Sequence, residues 1–122
     1  MYYIRFYRDK NNNSPITQYI EALKKNKTKD SRIKLKKAIE YIGLLKRFGL
    51  RIGKPAIKHI NGTQLWELRP SNDRIFFVYF ENDTFILLHQ FTKKTQKTPS
   101  REIEKALNNL KDFKERIEEN AK

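Results

Sequence analysis

Apolar positions along the chain follow two periods, and the points where one gives way to the other mark the elements. Tyr2–Arg8 alternates, with Ile4 and Phe6 toward one face and Tyr3, Arg5 and Tyr7 toward the other, as a half-buried strand does. A polar turn, residues 9–13, leads to Ser14-Pro15, a helix N-cap followed by a first-turn proline. Ile16, Tyr19, Ile20 and Leu23 then recur at helical spacing and predict a short helix to about Lys25. After a break at 26–29, a second helix is expected from about Asp30 or Ser31. It carries Leu35, Ala38, Ile39, Ile42 and Leu45 on its apolar side, with Gly49 placed to end it. The two segments predict an antiparallel helical hairpin.

Beyond Gly49 the period falls to two. Residues 56–60 and 64–69 flank Asn61-Gly62, a strong hairpin signal. Residues 73–80 and 84–91 are two further strands, rich in aromatic and β-branched side chains, so these strands should form an antiparallel meander. Thr98-Pro99 opens a last helix with Ile103, Ala106, Leu107, Leu110 and Ile117 on one side. The order predicts an α+β fold, with the helical hairpin and the C-terminal helix packed on one face of a twisted, mainly antiparallel sheet. No repeat or linker interrupts it, so residues 1–122 are expected to form a single domain.

Composition narrows the function. Without cysteine there is no disulfide framework, thiolate metal site or thiol nucleophile. The start, Met1–Arg5, is unlike a signal peptide, and no apolar run approaches the ~20 residues of a membrane span. A cytoplasmic chain without a membrane partner is expected. The net charge of +13 calls for a polyanion: nucleic acid, an anionic membrane surface or an acidic protein. A bland source also exists, since AT-rich coding inflates lysine at solvated positions. The charge is uneven: residues 24–51 hold 11 Lys/Arg against 2 Asp/Glu, whereas the last 22 residues are balanced at 6 each.

Several chemistries drop out. The four glycines lie too far apart for a phosphate loop, and no nucleophile elbow is present. His59 and His89 are the only imidazoles, with no carboxylates at ligand spacing, so no metal and no cofactor are expected. What remains is a basic constellation. Alternation puts Glu67 and Arg69 on one face of their strand, Asp73-Arg74 opens the next, and Lys93, Lys94 and Lys97 follow the last. If these strands are neighbours, the cations converge at one edge of the sheet. Cleaving RNA without a metal needs a base for the 2′-hydroxyl, an acid for the leaving oxygen and cations for the phosphorane-like charge. Arginine's planar fork suits phosphate, and lysine serves as acid or base only with a lowered pKa, which crowding by other cations favours.

Longer motifs carry more than spacing. Leu65-Trp66-Glu67-Leu68-Arg69, Arg74-Ile75-Phe76-Phe77-Val78, and the stretch from Leu87 through His89 and Lys93-Lys94-Thr95-Gln96-Lys97-Thr98-Pro99 resemble the HigB-type, phage-derived branch of the RelE/ParE toxin superfamily. The turn at Tyr7–Asn11 and the Ser14-Pro15-Ile16 helix start are similar too, so the resemblance spans essentially the whole chain. It implies a RelE-like fold and a type II toxin that enters the ribosomal A site and cleaves messenger RNA there without metal. It also implies a neighbouring helix-turn-helix antitoxin of the HigA type, with operator DNA bound through that antitoxin, and contacts to ribosomal RNA. On this resemblance Arg69, Arg74, Lys93 and Lys94 take the catalytic positions, with Lys97 beside them; Lys58, Glu67, His89 and Lys97 are expected to contact RNA. The chain departs from the pattern in having neither Tyr nor His near the start of the last helix, which leaves the acid–base pair open; His89 fills that gap or is a packed strand residue.

Blander readings stand beside these. Trp66 suits a core better than base stacking, His59 suits a surface hairpin end, and Glu67 suits orienting Arg69 or Arg74. The stripe from Lys24 to Lys37 is a solvated helix surface unless an RNA backbone meets it. Two other functions share the fold: a ParE-like gyrase inhibitor without nuclease activity, and a nuclease-dead basic binding module.

Overall fold

A computed structural model describes residues 1–121, and side chains through Asn120. Strand β1 (Tyr3–Phe6) leads into the helical hairpin, α1 (Pro15–Lys25) and α2 (Lys29–Phe48), which ends in a 3-10 turn, Gly49–Ile52. The strands β2 (Ile57–His59), β3 (Trp66–Leu68), β4 (Asp73–Phe80) and β5 (Thr84–Thr92) follow, and α3 (Ser100–Ala121) closes the described chain. The helix starts are set locally: Ser14 Oγ accepts from the Thr17 N–H at 3.2 Å, and Thr28 Oγ1 from the Ser31 N–H at 3.2 Å. Gly49 ends α2 at φ +63°, and a Cβ there would lie 2.6 Å from the Tyr2 ring, so glycine is required on both counts. The β2–β3 hairpin forms as expected, although its loop is wider than the two residues of Asn61-Gly62. The Ile60 N–H bonds to Leu65 O at 2.9 Å, and Gly62 alone in the turn has positive φ.

The five strands form one α+β sheet in the order β1-β5-β4-β3-β2. Antiparallel pairing runs from β2 to β5, but β1 pairs parallel to β5, so the sheet is mixed. The helices lie on both faces, which corrects the one-sided packing expected from sequence. Leu68, Ile75, Phe77, Phe85 and Leu87 pack under the hairpin with Ile16 and Leu45. Phe76, Val78, Ile86, Leu88 and Phe91 pack on the other face with Ala106, Leu110 and Phe113 of α3. The unbroken apolar runs at 75–78 and 85–88 are the cause, because a strand apolar on both faces needs a cover on each. Ile39, assigned to the apolar side of α2, is instead 53% exposed. Among the described residues no helix is long and apolar enough to cross a membrane.

Candidate active site

Register builds the site. Lys58, Glu67, Phe76 and His89 stand in one row across β2, β3, β4 and β5. In the next row toward the end of the sheet Arg74 pairs with Phe91. Arg69 follows the paired Leu68, its N–H bonded to Ala56 O at 2.9 Å. Both rows face α3, since Phe76 and Phe91 belong to the core beneath that helix. A register shift between Phe76 and Phe77 leaves Leu88 unpaired in β5, so Leu88 and His89 both turn toward α3.

Glu67 is the centre of the cluster. It is 1% exposed, and Thr98 Oγ1 donates to its Oε2 at 2.8 Å. Its other oxygen lies 3.6 Å from Arg69 Nε and 4.0 Å from Arg74 Nε, too far for hydrogen bonds. Both Nε atoms are buried and without a hydrogen-bond partner among the described residues. Arg74 is nevertheless oriented, because its Nη1 donates to the carbonyls of Ser71 (2.9 Å) and Asp73 (2.8 Å) at the β3–β4 turn. Burial and the charge of Arg69 lower the Arg74 pKa against the pull of Glu67 and Asp73. The Lys93 backbone is held by its N–H to Asn72 O at 2.8 Å, which keeps the end of β5 beside the β3–β4 turn. Desolvation draws the Lys93 pKa down and Glu67 opposes this, while Arg74, Arg69 and Lys58 add to the lowering.

The structure therefore brings Lys58, Glu67, Arg69 and Arg74 together, with Lys93 near enough to feel their charges. Lys94 and Lys97 are exposed on the loop between β5 and α3 and make no ion pair among the described residues. His89 lies under the first turn of α3, its Nε2 2.7 Å from Glu102 Oε1 and its ring stacked on Phe76 at 6.4 Å. Burial raises the Glu102 pKa, but hydrogen bonding and charge from His89, then Lys105 and Arg101, more than offset this and leave it lowered. Trp66 is half-buried against the hairpin-side core and lies 5.0 Å from the His59 ring, while His59 Nε2 is 2.8 Å from Thr63 O.

Sequence reasoning missed Thr98 and Glu102 as partners of Glu67 and His89. Only the loop closing over the sheet brings them near, and a polar residue at a helix start reads as a cap. It also missed the role of Asp73 on the hairpin face, where Tyr19, Thr92 and Lys34 converge on one carboxylate. Among the described residues, no three His, Asp or Glu side chains gather as a metal site requires.

An anionic group meeting this surface finds the exposed parts of two guanidiniums, a lysine of lowered proton affinity, and a buried carboxylate beside the guanidiniums. A family model described as "Phage derived protein Gp49-like (DUF891)" matches residues 18–111, a span that includes every residue of the cluster. No curated protein matches the chain.

Proposed function

This chain belongs to the Gp49-like family of phage-derived proteins, and on that premise we propose that it is the toxin of a type II toxin–antitoxin pair. We read it as a HigB-type member of the RelE superfamily that cleaves messenger RNA in the ribosomal A site. Its partner is then a HigA-type helix-turn-helix antitoxin, through which the pair holds operator DNA. The observation that carries the reading is the convergence of Arg69 and Arg74 on the buried Glu67, at 3.6 and 4.0 Å, without a hydrogen bond to it. A fixed carboxylate that does not consume the guanidinium donors leaves them ready for a phosphate, and their orientation needs no rearrangement when charge develops.

In this reading Arg69 and Arg74 hold the scissile phosphate and stabilise its developing charge. Attack by the 2′-oxygen on phosphorus requires loss of the 2′ proton and protonation of the 5′ oxygen that leaves. In this reading Lys93, whose pKa is lowered by desolvation and by the neighbouring cations, carries the proton. Lys94, Lys97 and Lys58 contact RNA from the rim, and His89, locked to Glu102, fixes the first turn of α3 beside the site. The basic surface of α2 begins at the same end of the sheet, where Lys34 reaches Asp73, and supplies sequence-independent attraction to ribosomal RNA.

The test is purified protein with programmed ribosomes. Cleavage within translated codons that disappears in Arg74→Ala and in Lys93→Ala, with folding retained, is the expected result. Inhibition of DNA supercoiling without RNA cleavage points instead to a gyrase inhibitor, and neither activity points to a binding module.

A further inference from the structure

One groove is remote from the cation cluster. About 820 Å3 in volume, it runs along the outer edge of β1 between the two helical layers. Ile39 and Ile42 of α2 form one wall, Phe113 and Ile117 of α3 the other, and Ile4 and Phe6 lie at its base. Arg5, Arg8, Lys46 and Arg116 line it against one carboxylate, Asp9.

The backbone at its base is unused. β1 has a strand neighbour on one side only, β5. The N–H groups of Tyr3 and Tyr7 bond to Asp83 O (2.8 Å) and Leu87 O (2.9 Å), so those of Ile4 and Phe6 point the opposite way. Tyr2, on that outward side, already donates to Lys46 O at 2.8 Å. Ile4 and Phe6 each present an N–H and a C=O to the groove with no strand to receive them among the described residues.

We propose that this edge accepts an extended acidic segment of a partner protein as a sixth strand. Side-chain alternation defines the segment. Residues turned toward α2 meet Ile39 and Ile42 and should be apolar. Residues turned toward α3 meet Arg5, whose guanidinium lies 5.1 Å over the Phe113 ring, and should be Asp or Glu. A second copy of this chain is a poor occupant, because its own Arg5 and Arg8 would face their like within a chain of net charge +13. A docked helix satisfies its own backbone and leaves the edge groups of Ile4 and Phe6 without a protein partner. The inference goes beyond the ribonuclease reading and does not depend on it.

The probe is a labelled ten-residue peptide alternating Val and Glu, titrated against the full chain. Binding should slow amide hydrogen exchange at Ile4 and Phe6. It should weaken about tenfold in Arg5→Glu and in Ile39→Glu, whose side chains lie outside the core. N-methylation of alternate peptide residues, which removes edge-facing donors in one of the two phases, should weaken it by a similar factor, and a Val/Lys peptide should not bind. Unchanged exchange at Ile4 and Phe6 in the saturated complex overturns the proposal without any variant having to fold. So do equal affinities for both methylation phases and the unmodified peptide, or a self-dimer of the free chain that protects those amides.

Discussion

Two buried carboxylates sit near the same end of the sheet on opposite faces, each 1% exposed, and they are held very differently. Asp73 accepts from Tyr19 (2.7 Å) on α1 and Thr92 (2.8 Å) on β5, and pairs with Lys34 (3.4 Å) on α2. Both oxygens are satisfied, and the hairpin is clasped to the sheet. Glu67 accepts one hydrogen bond, from Thr98, and holds its arginines at 3.6 and 4.0 Å. A closed clasp spends its partners' hydrogen bonds on stability, whereas a loose counter-ion holds cations together and leaves their donors for something else. Burial alone does not distinguish a structural acid from an acid in a site; saturation of its partners does.

The largest expected effect is at the closed clasp. Asp73→Ala should cost about 3 kcal/mol of stability in urea denaturation, because it strands the half-buried Tyr19 hydroxyl and removes the counter-charge of Lys34. The burial that accompanies the Tyr19–Asp73 bond raises the Tyr19 pKa, so that hydroxyl stays a donor across the ordinary pH range. A loss below about 1 kcal/mol would show that packing, not the clasp, fixes the hairpin.

Next comes the open side. Arg74→Ala should change stability by less than about 1 kcal/mol, since its guanidinium bonds only two turn carbonyls, yet lower ribosome-dependent cleavage ~100-fold or more. If it unfolds the protein as readily as Asp73→Ala, the two carboxylate environments do not differ in the way proposed. A smaller effect is expected from Glu67→Gln, which can keep the Thr98 bond and removes only the charge. Glu67 raises the proton affinity of Lys93, so neutralising it should lower the Lys93 pKa further. The lysine-dependent limb of the pH–rate profile should then move to lower pH, with the rate changed about tenfold. An unmoved limb would take Lys93 out of the proton transfer.

The difference between the two acids was not legible in the sequence. Helix starts at Ser14 and Thr28, the stop at Gly49 and the β2–β3 hairpin depend on neighbours a few residues apart, so pattern and propensity suffice for the elements. Glu67, Arg69 and Arg74 were also legible, because strand alternation and antiparallel order place them on one face. The Tyr19–Asp73 bond spans 54 positions and the Thr98–Glu67 bond 31, and nothing local announces either. The parallel pairing of β1 and the crossing of α3 to the second face are equally nonlocal. Their one local trace was the unbroken apolar character of residues 75–78, a sign of two-sided burial that a single-face reading leaves unused. Lys93 and Lys94 are indistinguishable by composition, and only the fold separates them, leaving Lys94 exposed and Lys93 half-buried.

The smallest predicted effect asks whether looseness belongs to the α3 face as a whole. On that face, far along the sheet, Tyr7 donates to Asp112 at 2.6 Å, and Arg116 binds the same carboxylate at 3.0–3.1 Å. Here the partners hydrogen-bond the carboxylate directly, all through Oδ2, so the long arginine distances at Glu67 are not a property of the whole α3 face. Burial and the bond to Asp112 push the Tyr7 pKa from 10.0 up to about 12. A folded-state pKa raised above the unfolded value gives stability that is complete below pH 10.0 and lost as pH climbs toward about 12. Tyr7→Phe should therefore cost about 1 kcal/mol at pH 8, a modest figure because the Asp112 side chain is 39% exposed. The gap between variant and parent should close as thermal melts are repeated at rising pH through that window. A gap that stays constant to pH 11.5 would mean that the hydroxyl titrates normally and that β1 is held to α3 by packing alone.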